Sequence, residues 1–236
     1  MHLSLVIPAY NEAERIGSSL ELALGYFGRQ DYDAEIIVVD DGSRDDTAAV
    51  VRSFAGVKLA QLDRNRGKGA ATKRGMLEEA TGRYRFYYDA DASTPIEEVE
   101  SCWPRFAAGA DIVIGSRALA GSRIEIRQAW YREHMGRVYN MILRALGLTP
   151  FLDTQCGFKG FTAQAAELCF PRQTLSSFSF DAELLHIAAM HGLRIDEIPV
   201  RWLNSPKSRV NPVTDSTRMF LDLLHVRANA AAGRYE

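Results

Sequence analysis

Glu35-Ile36-Ile37-Val38-Val39-Asp40-Asp41-Gly42-Ser43 is a β-branched run that stops in two acids, a glycine and a serine. The run does not alternate apolar with polar, as expected of a strand covered on both faces. Ser43 with Asp46 then predicts a helix start before Val50 and Phe54. The same order recurs on either side. Candidate strands are Leu3–Ile7, Glu35–Val39, Val57–Leu62, Tyr84–Tyr88 and Asp111–Gly115. Asn11 with Glu14 predicts a capping box ahead of Ile16, Leu20, Leu24 and Phe27, and Thr94-Pro95 with Glu97 predicts another start. Strand–helix alternation of this kind predicts an α/β chain with a mostly parallel, doubly wound (Rossmann-like) central sheet flanked by helices. Such sheets bind ligands at the carboxyl ends of their strands, where the polar motifs of this chain fall.

Past Gly115 the alternation stops. Glu125–Leu146 reads as one long helix and Asp153–Gly160 as a loop. Asp181–His191 reads as a helix, Arg194–Trp202 as a strand, and the end of the chain as an amphipathic helix with Met219, Phe220, Leu223, Leu224 and Val226. The expected organisation is one domain over 1–210, with a nucleotide half (1–117) and an acceptor half (118–210), followed by a helix in 211–236.

Composition narrows the function. The 236 residues carry a formal net charge of -2, so the chain as a whole is no polyanion binder. Charge is uneven, however: Arg117, Arg123, Arg127, Arg132, Arg137 and Arg144 face only Glu125 and Glu133 between Gly115 and Ala145. These arginines are interleaved with Trp130 and Tyr131, which predicts an interfacial, peripheral membrane face. Cys102, Cys156 and Cys169 show neither zinc spacing nor a disulfide framework, and a reduced, cytoplasmic setting is expected. Strand-like sequence begins at Leu3, so no signal peptide is expected, and no apolar run reaches the ~18 residues of a spanning helix. The histidines (2, 134, 186, 191 and 225) have no metal or triad spacing and read as structural or exposed.

Five motifs carry chemistry. Tyr87-Tyr88-Asp89-Ala90-Asp91 closes a strand, and i, i+2 alternation would put both carboxylates on one side. Two acids so placed repel unless a cation lies between them, and Mg²⁺ or Mn²⁺ bound this way takes phosphate and water as further ligands. The acids Asp40 and Asp41 could accept hydrogen bonds from a nucleobase or ribose. In Pro8-Ala9-Tyr10-Asn11-Glu12 the ring of Tyr10 could pack on a base. Arg64-Asn65-Arg66-Gly67-Lys68-Gly69 lets backbone approach a ligand, and Lys68 and Arg66 could meet phosphate. Lys68 has no following Ser or Thr, so this is no NTPase phosphate loop. Arg117 follows the Asp111–Gly115 strand at the same sheet edge and fits a donor or acceptor phosphate.

In this order the segments P-A-Y-N-E, V-D-D-G-S, G-K-G and D-A-D resemble family 2 glycosyltransferases of the GT-A fold. Asp153-Thr154-Gln155-Cys156-Gly157-Phe158-Lys159 and Phe178-Ser179-Phe180-Asp181-Ala182-Glu183 resemble the dolichyl-phosphate β-glucosyltransferase branch, near the polyprenyl-phosphate mannose synthases. The resemblance spans Leu3 to Arg209. It implies that Pro8, Tyr10, Glu12 and Asp40 or Asp41 hold a nucleoside, uridine by family analogy, and that Asp89 and Asp91 hold the metal. Arg117, Lys207 and Arg209 would meet phosphates, and Gln155 and Lys159 would lie on the acceptor side. The mannose synthases carry Gln where this chain has Ser93.

The implied reaction is inverting transfer of a sugar, glucose by the branch, from a nucleotide sugar to a polyprenyl phosphate. A lipid phosphate is largely ionised at neutral pH, since its second pKa is ~6, and needs no strong base. A sugar-hydroxyl acceptor would need one, with Asp181 the candidate; Asp181 reads equally as a helix cap. Competing readings are a hydroxyl-acceptor transferase, a sugar-nucleotide pyrophosphorylase and a degenerate nucleotide-sugar binding module. The loop after the first strand lacks the glycine-rich, arginine-bearing pattern of a pyrophosphorylase.

Overall fold

The computed structural model describes residues 1–126, 130–203 and 214–236. The first half alternates as expected: β1 (Leu3–Ala9), α1 (Ile16–Phe27), β2 (Ala34–Asp40), α2 (Thr47–Arg52), β3 (Val57–Gln61), α3 (Lys68–Arg74) and β4 (Tyr84–Tyr88). Then come α4 (Trp103–Ala107), β5 (Ile112–Ser116), β6 (Arg123–Ile126), α5 (Trp130–Ala145) and β7 (Phe158–Thr162). The chain continues through α6 (Ala163–Arg172), α7 (Phe180–Met190), β8 (Ile195–Pro199), β9 (Arg201–Leu203) and α8 (Thr214–Ala231).

Among the described residues, seven strands form one sheet in the order β3-β2-β1-β4-β7-β5-β8. Every neighbouring pair is parallel except those of β7, which runs antiparallel to β4 and to β5. The carboxyl ends of β1, β2, β4 and β5 therefore share one edge with the segment leading into β7. Alternate strand residues enter separate cores. Val6, Val39, Tyr87, Ile114 and Phe161 pack on one face with α6, α7 and α8, while Leu5, Val38, Phe86, Val113 and Phe158 pack on the other with α1 and α4. Burial on both faces is why these runs read as continuously apolar.

Several expectations change. Glu125–Leu146 is not one helix: Arg123–Ile126 pairs with Arg201–Leu203, and the helix starts at Trp130. The expected strand at 194–202 is two strands in different sheets, divided at Val200. The supposed loop up to Gly160 becomes the central strand β7. A glycine and a lysine in Phe158-Lys159-Gly160-Phe161-Thr162 disguise it, yet Lys159 is fully buried and Gly160 lies against Phe86. Helix α6 was also unforeseen, although Thr162 caps it by accepting from the Ala165 N–H at 3.2 Å.

The presumed caps serve elsewhere. Asn11 has φ 54° and sits outside α1; its N–H donates to Ser43 Oγ at 2.9 Å, and its Oδ1 accepts from the Arg44 N–H at 2.8 Å. The Glu12 N–H donates to Thr47 Oγ1 at 2.7 Å. These polar residues stitch together the loops after β1 and β2 instead of capping helices.

A Cβ on Gly160 would lie 2.4 Å from the Phe86 ring, which is fully buried between packed neighbours. Gly160→Ala should lower unfolding free energy by about 1–3 kcal/mol through overpacking, measured by urea denaturation.

Candidate active site

The site is built from the loops at that shared edge. β4 ends at Tyr88, and Asp89 to Ala92 form a turn closed by the Ala92 N–H on the Asp89 carbonyl at 3.1 Å. The acidic pair thus comes from a turn and not from strand alternation. The Asp89 N–H donates to the Gly157 carbonyl at 3.0 Å, tying the turn to the approach into β7.

Each carboxylate has a cationic neighbour. Lys68 Nζ stands 2.6 Å from Asp89 Oδ1 and Arg15 lies 3.7 Å from Asp91 Oδ2. Asp91 Oδ1 accepts from the Ser93 N–H at 3.0 Å. The balance differs between the two. Burial pushes the Asp89 carboxyl up, but Lys68, with Lys159 and Arg117 behind it, brings it below the ordinary carboxylate range. Burial and the charge of Asp89 push Asp91 up, and Ser93 and Arg15 only partly offset them. Asp91 is therefore short of positive charge. Among the described residues no cluster of three or more His, Cys, Asp or Glu forms a metal cage. Two neighbouring carboxylates, one of them short of positive charge, nevertheless suit a hard divalent cation that takes its remaining ligands from phosphate and water.

Lys68 opens α3, and the loop before it is shaped by Asp41. The N–H groups of Arg66 and Gly67 donate to Asp41 Oδ1 and Oδ2 at 2.7 and 2.8 Å. Burial raises the Asp41 carboxyl, partly against these two bonds. Gly67 has φ 100°, and a Cβ there would stand 2.3 Å from the Ser176 carbonyl, so only glycine fits. Asp40 accepts from the Ser43 N–H and from Gln61 Nε2, both at 3.0 Å. Pro8 is buried within β1, and Tyr10 is half-buried where the strand ends. Glu12 is buried and held by Arg15, with Arg15 Nη2 donating to Glu12 Oε1 at 2.7 Å. Arg15 went unnoticed in the sequence; its signal was an i, i+3 acid–base pair just ahead of a helix.

Arg117 is clamped by Asp153, its Nε donating to Oδ2 at 2.6 Å and its Nη2 to Oδ1 at 2.9 Å. The guanidinium also lies 5.3 Å from the centre of the Trp202 ring. Gln155 is half-buried beside Gly136, its N–H donating to Asp153 Oδ1 at 3.1 Å. Lys159, expected on the acceptor side, is an interior residue. Its Nζ donates to Asp181 Oδ1 at 2.7 Å and to the Cys156 carbonyl at 2.5 Å. The Tyr87 hydroxyl donates to the same Asp181 oxygen. Asp181 is the second residue of α7 and 4% exposed, so it is neither the cap of that helix nor open to solvent. Lys207 and Arg209 lie outside the described residues.

With this geometry in view, comparisons with known proteins place the chain in a family and show its fold. The family model described as "Glycosyl transferase family 2" matches residues 4–169. The chain is 32% identical over 243 residues to a dolichyl-phosphate beta-glucosyltransferase of Dictyostelium discoideum, covering 96% of this chain and 74% of that one. It is 32% identical over 253 residues to the Homo sapiens protein of the same description, covering 99% and 77%. Among solved structures, glucosyl-3-phosphoglycerate synthase from Mycobacterium tuberculosis, in complex with Mn²⁺, UDP and phosphoglyceric acid, superposes with a TM-score of 0.73. Its identity is 20%, with 96% of this chain and 78% of that chain covered. The fold is thus the GT-A arrangement that the motifs implied.

A Cβ on Gly157 would fall 1.8 Å from Asp89 Oδ2. Gly157→Ala should push that carboxylate aside and lower kcat/KM by about a hundredfold, more than its thermal-unfolding shift accounts for. A second outcome concerns acid stability. Burial pushes Asp153 up, but Arg117 pulls it from 3.8 to about 2. A folded pKa below the unfolded one gives stability that is present above pH ~4 and lost as pH falls toward ~2, about 2 kcal/mol in all. In Arg117→Met the guanidinium's pull is lost and burial is opposed only by Lys159 and the N–H groups of residues 117 and 155, so urea unfolding followed against pH should show the acid-side loss beginning at higher pH.

Proposed function

The chain belongs to glycosyl transferase family 2, and from that premise we propose that it transfers glucose, with inversion, from UDP-glucose to a polyprenyl phosphate such as dolichyl phosphate. The observation that carries the donor half is the pair Asp89 and Asp91 at the end of β4, one balanced by Lys68 and the other short of positive charge. The names of the relatives support the glucose and the lipid phosphate. The UDP-glucose and Mn²⁺ complexes of the mycobacterial synthase support the donor and a divalent cation.

Asp89 and Asp91 would hold Mg²⁺ or Mn²⁺, which supplies Lewis-acid neutralisation of charge on the leaving diphosphate. Lys68 adds fixed positive charge on the donor phosphates. Tyr10 stacks on the base, and Pro8 and Glu12 shape the loop around it. The oxygens of Asp40 and Asp41 each keep a lone pair for ribose or base donors. Gly67 lets the loop that carries Lys68 lie against the Ser176 carbonyl, which fixes the lysine's approach to the diphosphate. Residues 1–117 would form the donor half and 118–210 the acceptor half, and α8 packs into the core through Met219, Leu223 and Val226.

The placement of Asp181 favours one acceptor class over the other. Its Oδ1 is engaged by Lys159 and Tyr87 inside the core, which is poor placement for a base that must reach a sugar hydroxyl. A phosphate acceptor needs no such base. Arg117 borders a cavity of about 590 Å³ lined by Ile124, Val138, Met141, Leu152 and Arg137. Arg117 and Arg137, paired with Asp153 and Glu133, stand beside an apolar wall, which suits a phosphate with an isoprenoid tail, and Gln155 lies close to Arg117's partner Asp153. Lys159 contributes to it indirectly, by holding Asp181. Exposed Trp130, Val138 and Met141 on α5, and Phe220, Leu221 and Leu224 on α8, support peripheral contact with the cytoplasmic face of a membrane. No helix among the described residues is long and apolar enough to cross one.

Purified protein given labelled UDP-glucose, Mg²⁺ or Mn²⁺ and polyprenyl phosphate should move label into an organic-soluble, mild-acid-labile product. Asp89→Ala and Asp91→Ala should each cut this by at least about a hundredfold. Label released only as free sugar, or built only into polymer, would reject the lipid-phosphate acceptor.

A further inference from the structure

Tyr235 is fully buried, although it lies one residue from the end of the sequence. Its carbonyl accepts from Arg172 Nε at 3.0 Å, and His191 Nε2 lies 2.7 Å from the same oxygen. Its hydroxyl donates to Glu183 Oε1 at 2.8 Å. Glu183 is a fully buried carboxylate in the first turn of α7. Oε1 also accepts from the Thr174 N–H at 3.0 Å and the Thr174 hydroxyl at 2.5 Å, and Oε2 accepts from the Leu175 N–H at 2.9 Å. A buried carboxylate is tolerable only with its lone pairs occupied, and these four donors meet that need. From α8, Asn229 Nδ2 donates to Thr174 Oγ1 at 3.1 Å.

The segment held this way touches the donor side directly. The Gly69 N–H donates to the Ser176 carbonyl at 2.9 Å, and Gln173 Nε2 donates to the Gly69 carbonyl at 3.0 Å. Gly67 and Gly69 leave no room for a side chain against this segment: a Cβ on Gly69 would meet the Leu175 carbonyl at 2.9 Å. The first turn of α3, which carries Lys68, is therefore gripped between Asp41 on one side and 173–176 on the other.

We propose that Tyr235 and Glu183 are positioning residues for Lys68: the brace from the C-terminal segment through Glu183 to 173–176 sets where the lysine meets the donor diphosphate. The proposal rests on Lys68 serving that diphosphate, as argued above. Tyr235 and Glu183 are both fully buried, so their effect would pass through the α3 turn. It should appear in donor binding and leave the acceptor KM unchanged.

The test is a double-mutant cycle read by calorimetric titration of UDP with Mn²⁺ present, with thermal unfolding recorded alongside. Tyr235→Phe keeps the ring and removes one hydrogen bond to a buried carboxylate, so UDP affinity should fall about three- to tenfold. Lys68→Met alone should weaken UDP more. In the Lys68→Met background, Tyr235→Phe should cause no further loss, and the acceptor KM of Tyr235→Phe should match the parent. A Tyr235→Phe variant that melts earlier but binds UDP normally would overturn the inference. Equal losses in both backgrounds would do the same. If Lys68→Met leaves UDP affinity unchanged, the donor reading of Lys68 itself fails, which is a separate result. Asn229→Ala, a surface-side truncation of the same brace, should reproduce the Tyr235→Phe pattern and guards against a folding defect peculiar to one site.

Discussion

A lysine ammonium sealed from solvent in the middle of the sheet is the constraint on which the rest depends. Lys159 lies on β7, the strand joining the parallel block β3-β2-β1-β4 to the β5-β8 pair. Isolating such a charge in the interior is costly, and only full satisfaction makes it tolerable. Asp181 supplies the counter-charge, the Cys156 carbonyl a second acceptor, and the Tyr87 ring lies 5.2 Å from the ammonium. One ion pair therefore joins β7 to the start of α7 and, through the Tyr87 hydroxyl, to β4. The neighbouring Asp89 turn hangs on the same strand pair through its bond to the Gly157 carbonyl. Removing either ionic partner leaves a lone charge beneath the site, so both sides of the catalytic edge would move together.

How much of this could be read in the sequence depends on which physical signal each part left. The runs at Leu5, Ile37 and Phe86 are buried on both faces, so their order and the parallel sheet were legible. The acids after β2 and β4 were legible because they interrupt apolar runs abruptly. The strand β7 was not, since a lysine and a glycine in five residues mimic a loop; only its partner Asp181, 22 positions away, explains the lysine. Asn11 and Ser43 misled for a related reason. Short polar side chains beside a helix start suit a cap by local pattern, but here each found its partner across two loops. The acidic pair was placed correctly in the chain for a mistaken geometric reason, a strand where the structure has a turn.

The two halves of the site solve opposite electrostatic problems. On the proposed donor side, Asp91 is pushed up by burial and by Asp89, an excess of negative charge that a metal and its diphosphate would relieve. On the other side Arg117 is held in a bidentate clamp by Asp153, which orients the guanidinium while an aromatic face lies alongside it. A clamped arginine loses little side-chain freedom on meeting a ligand, so Arg117 would be oriented in advance for the acceptor proposed above.

The contrast between Lys159 and Lys68 carries one more consequence. Lys159 is wholly shielded, whereas the Lys68 side chain is 19% exposed and that of Asp89 36% exposed. Mobile ions reach partly exposed charges far more readily than buried ones. If Lys68 meets the donor as proposed, rising ionic strength would weaken capture of that anion while screening the internal Lys159–Asp181 pair far less: salt would loosen the grip before it touched the frame.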